Sequence, residues 1–142
     1  MEYSSAEIPT LIRAVTAACD ANRLPLAERP LVPTHLAARA ARLFKVLAND
    51  TRLRLLHELA RFEERNVTDL SSAVGLQPQA VSNQLQRLAD QGVIASRREG
   101  NFVYYHLVDP CTSALLDLGL CIAEMLEAPG AGVAPQVAAV GT

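Results

Sequence analysis

The stretch NVTDLSSAVGLQPQAVSNQLQRLADQ, residues 66–91, contains two short amphipathic patterns joined by a tight turn. Apolar residues at helical spacing predict a first helix from Val67 to Val74. Gly75 follows it, and glycine is common just after a helix end. Pro78 suits the first turn of a second helix, because its missing N–H has no partner to lose there. Two short helices joined in this way are typical of a helix-turn-helix motif.

The second helix of this motif has one apolar face and one polar face. Val81, Leu85 and Leu88 recur at i, i+4 and i+7 and predict the buried face. The polar residues at its start and on its other face are Gln77, Gln79, Ser82, Asn83, Gln86 and Arg87. We predict that the uncharged ones read base edges in a DNA major groove and that Arg87 binds phosphates. The alternative is a pair of core helices with an ordinary solvated face.

A two-stranded arm is predicted directly after this motif. Residues 93–98 and 102–107 alternate in the manner of strands, with the turn Glu99-Gly100-Asn101 between them. An arm in this position is a wing, and Arg97 and Arg98 near its tip are predicted to meet phosphates or the minor groove. An ordinary hairpin is the alternative interpretation.

Further helical patterns flank the motif. Apolar spacing predicts helices over residues 1–24, 34–47 and 52–62, with Thr34 and Asp50 as their N-caps where a cap can be assigned. A proline-containing connector separates the first two of these helices. The fold class is therefore mainly α with a small β-hairpin, a winged helix-turn-helix.

The last helix, predicted from Cys111 to Glu127, is apolar nearly all round. Such a helix must pack on more than a small domain offers, and a two-fold homodimer is the simplest partner. The chain then divides into an N-terminal helix with its connector (1–33), a DNA-binding and dimerisation domain (34–127) and an Ala/Gly/Pro-rich flexible tail (128–142).

Composition is that of one modest domain of 142 residues, half of them hydrophobic. There is no run of 18 apolar residues and no signal-peptide pattern, so a soluble cytoplasmic protein is expected. The net charge of −2 counts mildly against DNA binding, but the cations, nearly all arginines, cluster locally at Arg52, Arg54, Arg87 and the wing. No nucleophile–base pair, phosphate loop or cluster of acids indicates an enzyme.

The three cysteines are Cys19, Cys111 and Cys121. An odd number in a cytoplasmic protein argues against a disulfide framework, so each is either a small buried residue or a reactive thiol. Ten residues along one helix separate Cys111 from Cys121 by about 15 Å on its axis and roughly 80° around it. They cannot bind one ion within that helix, so a shared site needs Cys19 or a second chain.

Three segments together resemble the ArsR/SmtB family of bacterial metal-sensing repressors: LANDTRLRLL (47–56), AVSNQLQRL (80–88) and GVIASRREGNFVYYHL (92–107). The resemblance covers about residues 36–126. It implies a winged helix-turn-helix homodimer, paired through its first and last helices, that binds operator DNA and leaves it when an inducer binds.

Departures from the family pattern concern the sensor. The Cys-x-Cys motif that many members carry in the first helix of the motif is absent, since residues 66–70 read NVTDL. Other members carry a zinc site on the last helix. In this chain Asp109-x-Cys111 and Cys121-x-x-Glu124 resemble that site, but thiols replace imidazoles and the spacing is one residue short. Thiolates favour soft ions, so we predict Hg(II) first, then As(III), Cd(II) or Pb(II), as the inducer.

The predicted metal ligands are Cys19, Cys111, Cys121 and His57. Some members instead sense persulfide or oxidants through two cysteines, one near the position of His57 and one in the last helix. A thiol-redox or persulfide-sensing repressor is therefore the alternative function. A third reading, from another class, is a winged helix used only for protein contacts.

Overall fold

A computed structural model describes residues 22–127, which form a short 3-10 turn, five α-helices and a three-stranded sheet. The elements after the turn are α1 (Thr34–Leu47), α2 (Asp50–Arg61), β1 (Arg65–Asn66), α3 (Val67–Val74), α4 (Pro78–Asp90), β2 (Ile94–Glu99), β3 (Phe102–Leu107) and α5 (Pro110–Glu127). Cys19, most of the helix expected over residues 1–24 and the tail expected over 128–142 lie outside the described residues.

The helix-turn-helix lies where the sequence predicts it. α3 spans Val67–Val74, and the Asn66 side chain caps it by accepting a hydrogen bond from the Asp69 N–H at 2.8 Å. Gly75 ends α3 with φ at +72°, a left-handed conformation that favours glycine. Pro78 is the first residue of α4.

Two of the predicted caps are wrong. Asn49, not Asp50, caps α2, because Asn49 is still extended and accepts from the Arg52 N–H at 3.0 Å, whereas Asp50 is already helical. Pro33 occupies the N-cap position of α1 without a side-chain hydrogen bond, and Thr34 is the first helical residue.

The hydrophobic core lies between α2, α3, α4 and the sheet. Its fully buried side chains are Leu55, Leu56, Leu70, Val81, Leu85 and Leu88. The predicted buried face of α4 is confirmed, and burial of three large side chains fixes which face α4 turns outwards.

The sheet has the antiparallel strand order β1-β3-β2. β2 and β3 form the predicted wing, in which Arg97 pairs with Tyr104 and Arg98 with Val103. No sequence pattern predicts β1, whose two residues pair with Tyr104 and Tyr105. Two residues are too few for strand periodicity to appear, so only the pairing with β3 defines this strand.

Apolar side chains remain exposed along the two outer helices. They are Leu36 and Phe44 on α1 and Leu120, Ile122, Met125 and Leu126 on α5. Within residues 22–127, no helix is long and apolar enough to cross a membrane.

Candidate DNA interface and thiol site

The outer face of α4 presents hydrogen-bonding side chains to solvent. Of the six predicted DNA contacts at α4, five are exposed and Ser82 is half buried; the exposed ones are Gln77, Gln79, Asn83, Gln86 and Arg87. The Gln79 Nε2 donates to Asn83 Oδ1 at 3.2 Å, and the Gln86 Nε2 donates to Asp90 Oδ1 at 2.8 Å. Both hydrogen bonds are exposed, so these amides can exchange them for hydrogen bonds to base edges. Their contact with DNA stays a prediction.

Arg52 holds α4 against the rest of the domain. Its side chain is buried, and it donates from Nε to the Val46 carbonyl and from NH1 to Gln84 Oε1 at 2.8 Å. The expectation that Arg52 belongs to a basic surface is therefore wrong. A sequence signal existed, because Arg52 precedes the buried Leu56 and Leu59 by four and seven residues and so lies on their stripe of α2.

The wing arginines have different surroundings. The Arg97 guanidinium forms ion pairs with both carboxylate oxygens of Glu64 and with Glu99 Oε2, the latter at 2.7 Å. It also lies 4.8 Å from the centre of the Tyr104 ring. Hydrogen bonding to Arg97 lowers the pKa of Glu64, and the same hydrogen bond raises the pKa of Arg97. To contact a phosphate, Arg97 must exchange these carboxylates for it, whereas Arg98 is exposed on the opposite face of the wing.

Cys111 lies at the start of α5 and Cys121 in its second half, and both cysteines are half buried. Asp109 caps this helix by accepting from the Cys111 N–H at 2.8 Å, so its carboxylate serves the backbone. Cys111 is disulfide-bonded, and Cys121 is the free cysteine among the described residues.

A complete metal site does not form within residues 22–127. No three His, Cys, Asp or Glu side chains of this part of the chain lie close enough together to hold one ion. His57 is exposed on α2. A site built on Cys111 or Cys121 therefore needs donors from outside this part of the chain, such as Cys19 or a second copy. Once the disulfide at Cys111 is reduced, the sulfur donors on α5 fit a soft ion better than a hard one.

Comparisons with family models and curated proteins agree on the class of protein. The MarR family model matches residues 49–101, from the cap of α2 to the turn of the wing. The chain is 38% identical over 106 residues to a transcriptional repressor SmtB homolog of Synechocystis sp., covering 64% of this chain and 78% of that protein. It is 36% identical over 102 residues to the regulator NmtR of Mycobacterium tuberculosis, covering 70% and 84%. A probable mercury resistance operon repressor of Streptomyces lividans is 36% identical over 92 residues, covering 65% and 73%.

Solved structures share the fold as well. The AntR antimony-specific transcriptional repressor is 54% identical, with a TM-score of 0.66, over 75% of this chain and 96% of that chain. A homodimeric winged helix-turn-helix domain from Mycobacterium bovis is 32% identical, with a TM-score of 0.60, over 70% and 92%. Together with the exposed recognition face and the wing, these likenesses show that the chain belongs to the ArsR/SmtB family of DNA-binding, metal-sensing transcriptional repressors.

Proposed function

We propose that this protein represses a metal- or metalloid-resistance operon and leaves its operator when a soft, thiophilic ion binds cysteine thiolates at a dimer interface. The observation that carries the proposal is the placement of Cys111 and Cys121 on α5, the helix whose apolar surface is left exposed in a single chain. Sensor and dimer contact would then share one helix. Such a repressor acts in the cytoplasm, where its operator lies.

Homodimer formation is supported by the exposed apolar surface of α1 and α5. Phe44 is 54% exposed, Ile122 59% and Met125 60%. Exposed apolar patches of this kind mark sites of contact with another protein. A two-fold axis would bury the same surface twice and would present two copies of α4 to two half-sites of DNA. The M. bovis neighbour, described as homodimeric, adds support.

The chemistry of the donors favours a trivalent metalloid over Hg(II) as the inducer. Three cysteines are available per chain, and thiolates prefer soft ions. A trivalent metalloid takes three thiolates, whereas Hg(II) is satisfied by two. The 54% identical relative is an antimony-specific repressor, and the mercury repressor is less similar at 36%. We therefore place Sb(III) and As(III) first, with Hg(II), Cd(II) and Pb(II) after them.

The site would span two protomers. About 15 Å of helix separates Cys111 from Cys121, far beyond a metal–sulfur bond of about 2.3 Å, so one chain cannot bring both to one ion through α5 alone. Antiparallel α5 helices across the dimer axis would bring Cys111 of one chain to Cys121 of the other, with Cys19 as the third donor. An ion held this way would change the spacing of the two recognition helices and so bias the equilibrium away from DNA.

A titration of operator DNA tests this proposal. Fluorescence anisotropy of a duplex from the upstream region of the gene, with reduced protein, would follow release on addition of antimonite, arsenite, Hg(II) or Cd(II). We expect release by antimonite or arsenite for the wild type and for Ser113→Ala, a matched control on α5. Cys111→Ser and Cys121→Ser should bind DNA and not release it. Release that persists in both cysteine variants would refute the thiol site.

Mixed dimers test the sharing of the site between chains. A dimer of one Cys111→Ser protomer and one Cys121→Ser protomer retains one Cys111–Cys121 pair across the interface and none within a chain. We expect the mixed dimer to bind one equivalent of ion while each parent dimer binds none. Failure of the mixed dimer to regain binding would contradict the shared site.

The DNA-binding roles are tested by two substitutions. Asn83→Ala should reduce discrimination between operator and unrelated duplex, because it removes a base contact. Arg98→Gln should weaken binding to both duplexes alike, because it removes a phosphate contact. Binding isotherms for both sequences at one salt concentration measure this. Equal, sequence-independent losses from the two variants would contradict the assignment.

The disulfide at Cys111 supports a second candidate, a repressor that senses thiol oxidation or persulfide. Mass spectrometry of the native dimer after polysulfide treatment distinguishes the two. A defined sulfur bridge at Cys111 together with loss of DNA binding would favour this candidate, and unmodified thiols would exclude it.

A further inference from the structure

We propose that an open cavity between α1 and the end of α4 binds a phosphate group, and that the phosphate is supplied by the backbone of the operator beside the groove that α4 reads. The cavity has a volume of about 340 Å³ and is lined by Arg42, Lys45, Arg52, Arg87, Asp90 and Gln91. This inference rests on the proposed DNA binding and extends it from α4 to Arg42 and Lys45 of α1, outside the motif and the wing.

Charge is the first reason for the assignment. The cavity combines three exposed cations and the buried Arg52 with one carboxylate, in a chain whose net charge is −2. Arg61, Arg65 and Arg97 elsewhere in the domain form ion pairs with glutamates. In the described part of the chain, by contrast, Arg42, Lys45 and Arg87 have no carboxylate within 4.0 Å. A concentration of unpaired cations attracts an anion from solution.

Geometry is the second reason. Arg42 and Lys45 are three residues apart on α1 and therefore lie on one face of that helix, towards the end of α4. Arg87 comes from the last turn of α4. The buried Arg52 is held in place by its bonds to the Val46 carbonyl and Gln84, so one wall of the cavity is rigid. Guanidinium groups bind phosphate through paired N–H···O bonds, so the cavity fits the oxygens of a phosphate group.

The position of the cavity favours DNA as the source of the phosphate. Arg87 lies one residue from Gln86 on the exposed side of α4, so the cavity adjoins the predicted base-reading face. A volume of about 340 Å³, open to solvent, is large enough for a sugar together with its phosphate. The carboxylate of Asp90, which accepts a hydrogen bond from Gln86 at 2.8 Å, opposes binding of any anion here.

The test compares two doubly substituted proteins of equal charge. Arg42→Gln/Lys45→Gln removes two cavity cations, and the control Arg23→Gln/Arg39→Gln removes two exposed cations that do not line the cavity. Duplex binding is measured between 50 and 200 mM salt. Because each phosphate contact contributes roughly 0.9 to the slope of log K against log salt, we expect the cavity variant to lose about 1–2 units of slope and to bind about tenfold more weakly. The control should lose less than half of that.

A second measurement separates the sources of phosphate. Calorimetric titration of the DNA-free dimer with inorganic phosphate and with tripolyphosphate asks whether the cavity binds free phosphate. A smaller salt slope without such binding supports the operator backbone. Binding of free phosphate that the cavity variant loses supports the cavity as a site for a soluble phosphate compound. If the cavity variant matches the control in both measurements, the cavity proposal is wrong.

Two further observations keep the outcomes distinct. Asp90→Asn should strengthen duplex binding and steepen the salt slope, the opposite of what the loss of cavity cations does. Weaker duplex binding with a shallower salt slope would count against the cavity proposal. If the wild type shows no salt-dependent duplex binding at all, the proposed function fails, and the phosphate titration then decides the cavity by itself. Circular dichroism of each variant confirms that it is folded.

Discussion

Arg52 and Arg54 lie two residues apart on α2, and we predict that replacing them by methionine has very different consequences. Arg52 is only 9% exposed and donates to the Val46 carbonyl and to Gln84. Arg54 is exposed and donates to the Val74 carbonyl at 3.2 Å. The pair therefore compares a buried guanidinium with an exposed one on the same helix.

The magnitude follows from the hydrogen bonds lost. A hydrogen bond that involves a charged group contributes about 1.5–3 kcal/mol, so the two bonds of Arg52 sum to about 3–6 kcal/mol. Methionine keeps the packing of the side-chain stem, and water from the adjoining cavity replaces part of the lost bonding. We expect Arg52→Met to lower the free energy of unfolding by about 2–4 kcal/mol. Arg54→Met should lower it by less than about 1 kcal/mol, because Arg54 is exposed and water replaces its single long hydrogen bond.

Urea denaturation at neutral pH measures both losses by linear extrapolation. The protein concentration must be the same for all variants, because dimer formation contributes to the apparent stability. Arg52→Met should also weaken DNA binding, since Gln84 lies on α4 and loses the contact that holds that helix. Equal losses below about 1 kcal/mol for the two variants would refute the structural role of Arg52.

Two further predictions concern the turn of the motif and the wing. Gly75→Ala should destabilise the domain by about 1–2 kcal/mol, because Gly75 has a φ of +72° although the space for a Cβ is open. Gly119→Ala, in a helix and with equally open space, should not destabilise, and a matching loss in urea denaturation would contradict the backbone explanation. Arg97 lowers the pKa of Glu64. Their ion pair is therefore fully formed above pH 4.5, the ordinary pKa of a glutamate, and is lost as pH falls through the lowered pKa. Because Glu99 also pairs with Arg97, NMR of the Arg97 side chain during an acid titration is compared in Glu99→Gln, which should show this loss, and in Glu64→Gln/Glu99→Gln, which should not. An unchanged transition in the double variant would show that another group is titrating.

Much of the site could be predicted because the signals are local. The bounds of α3 and the start of α4 follow from Asn66, Gly75 and Pro78, each of which acts on backbone atoms within a few residues. The outward face of α4 follows from the spacing of its buried side chains. The misassigned cap of α2 shows the limit of such signals, since Asn49 and Asp50 are both good caps and lie side by side.

The helix-turn-helix, its exposed polar face and the wing all follow from patterns that lie close together in the sequence. Partners that are distant along the chain depend instead on how the domain folds. Glu64 and Arg97 are 33 residues apart and meet through the sheet, and Arg52 meets Gln84 from 32 residues away. The reason is physical: helix caps and apolar periodicity act within one or two turns, whereas ion pairs and buried hydrogen bonds depend on strand pairing and helix packing. Those contacts exist only once the whole domain has folded.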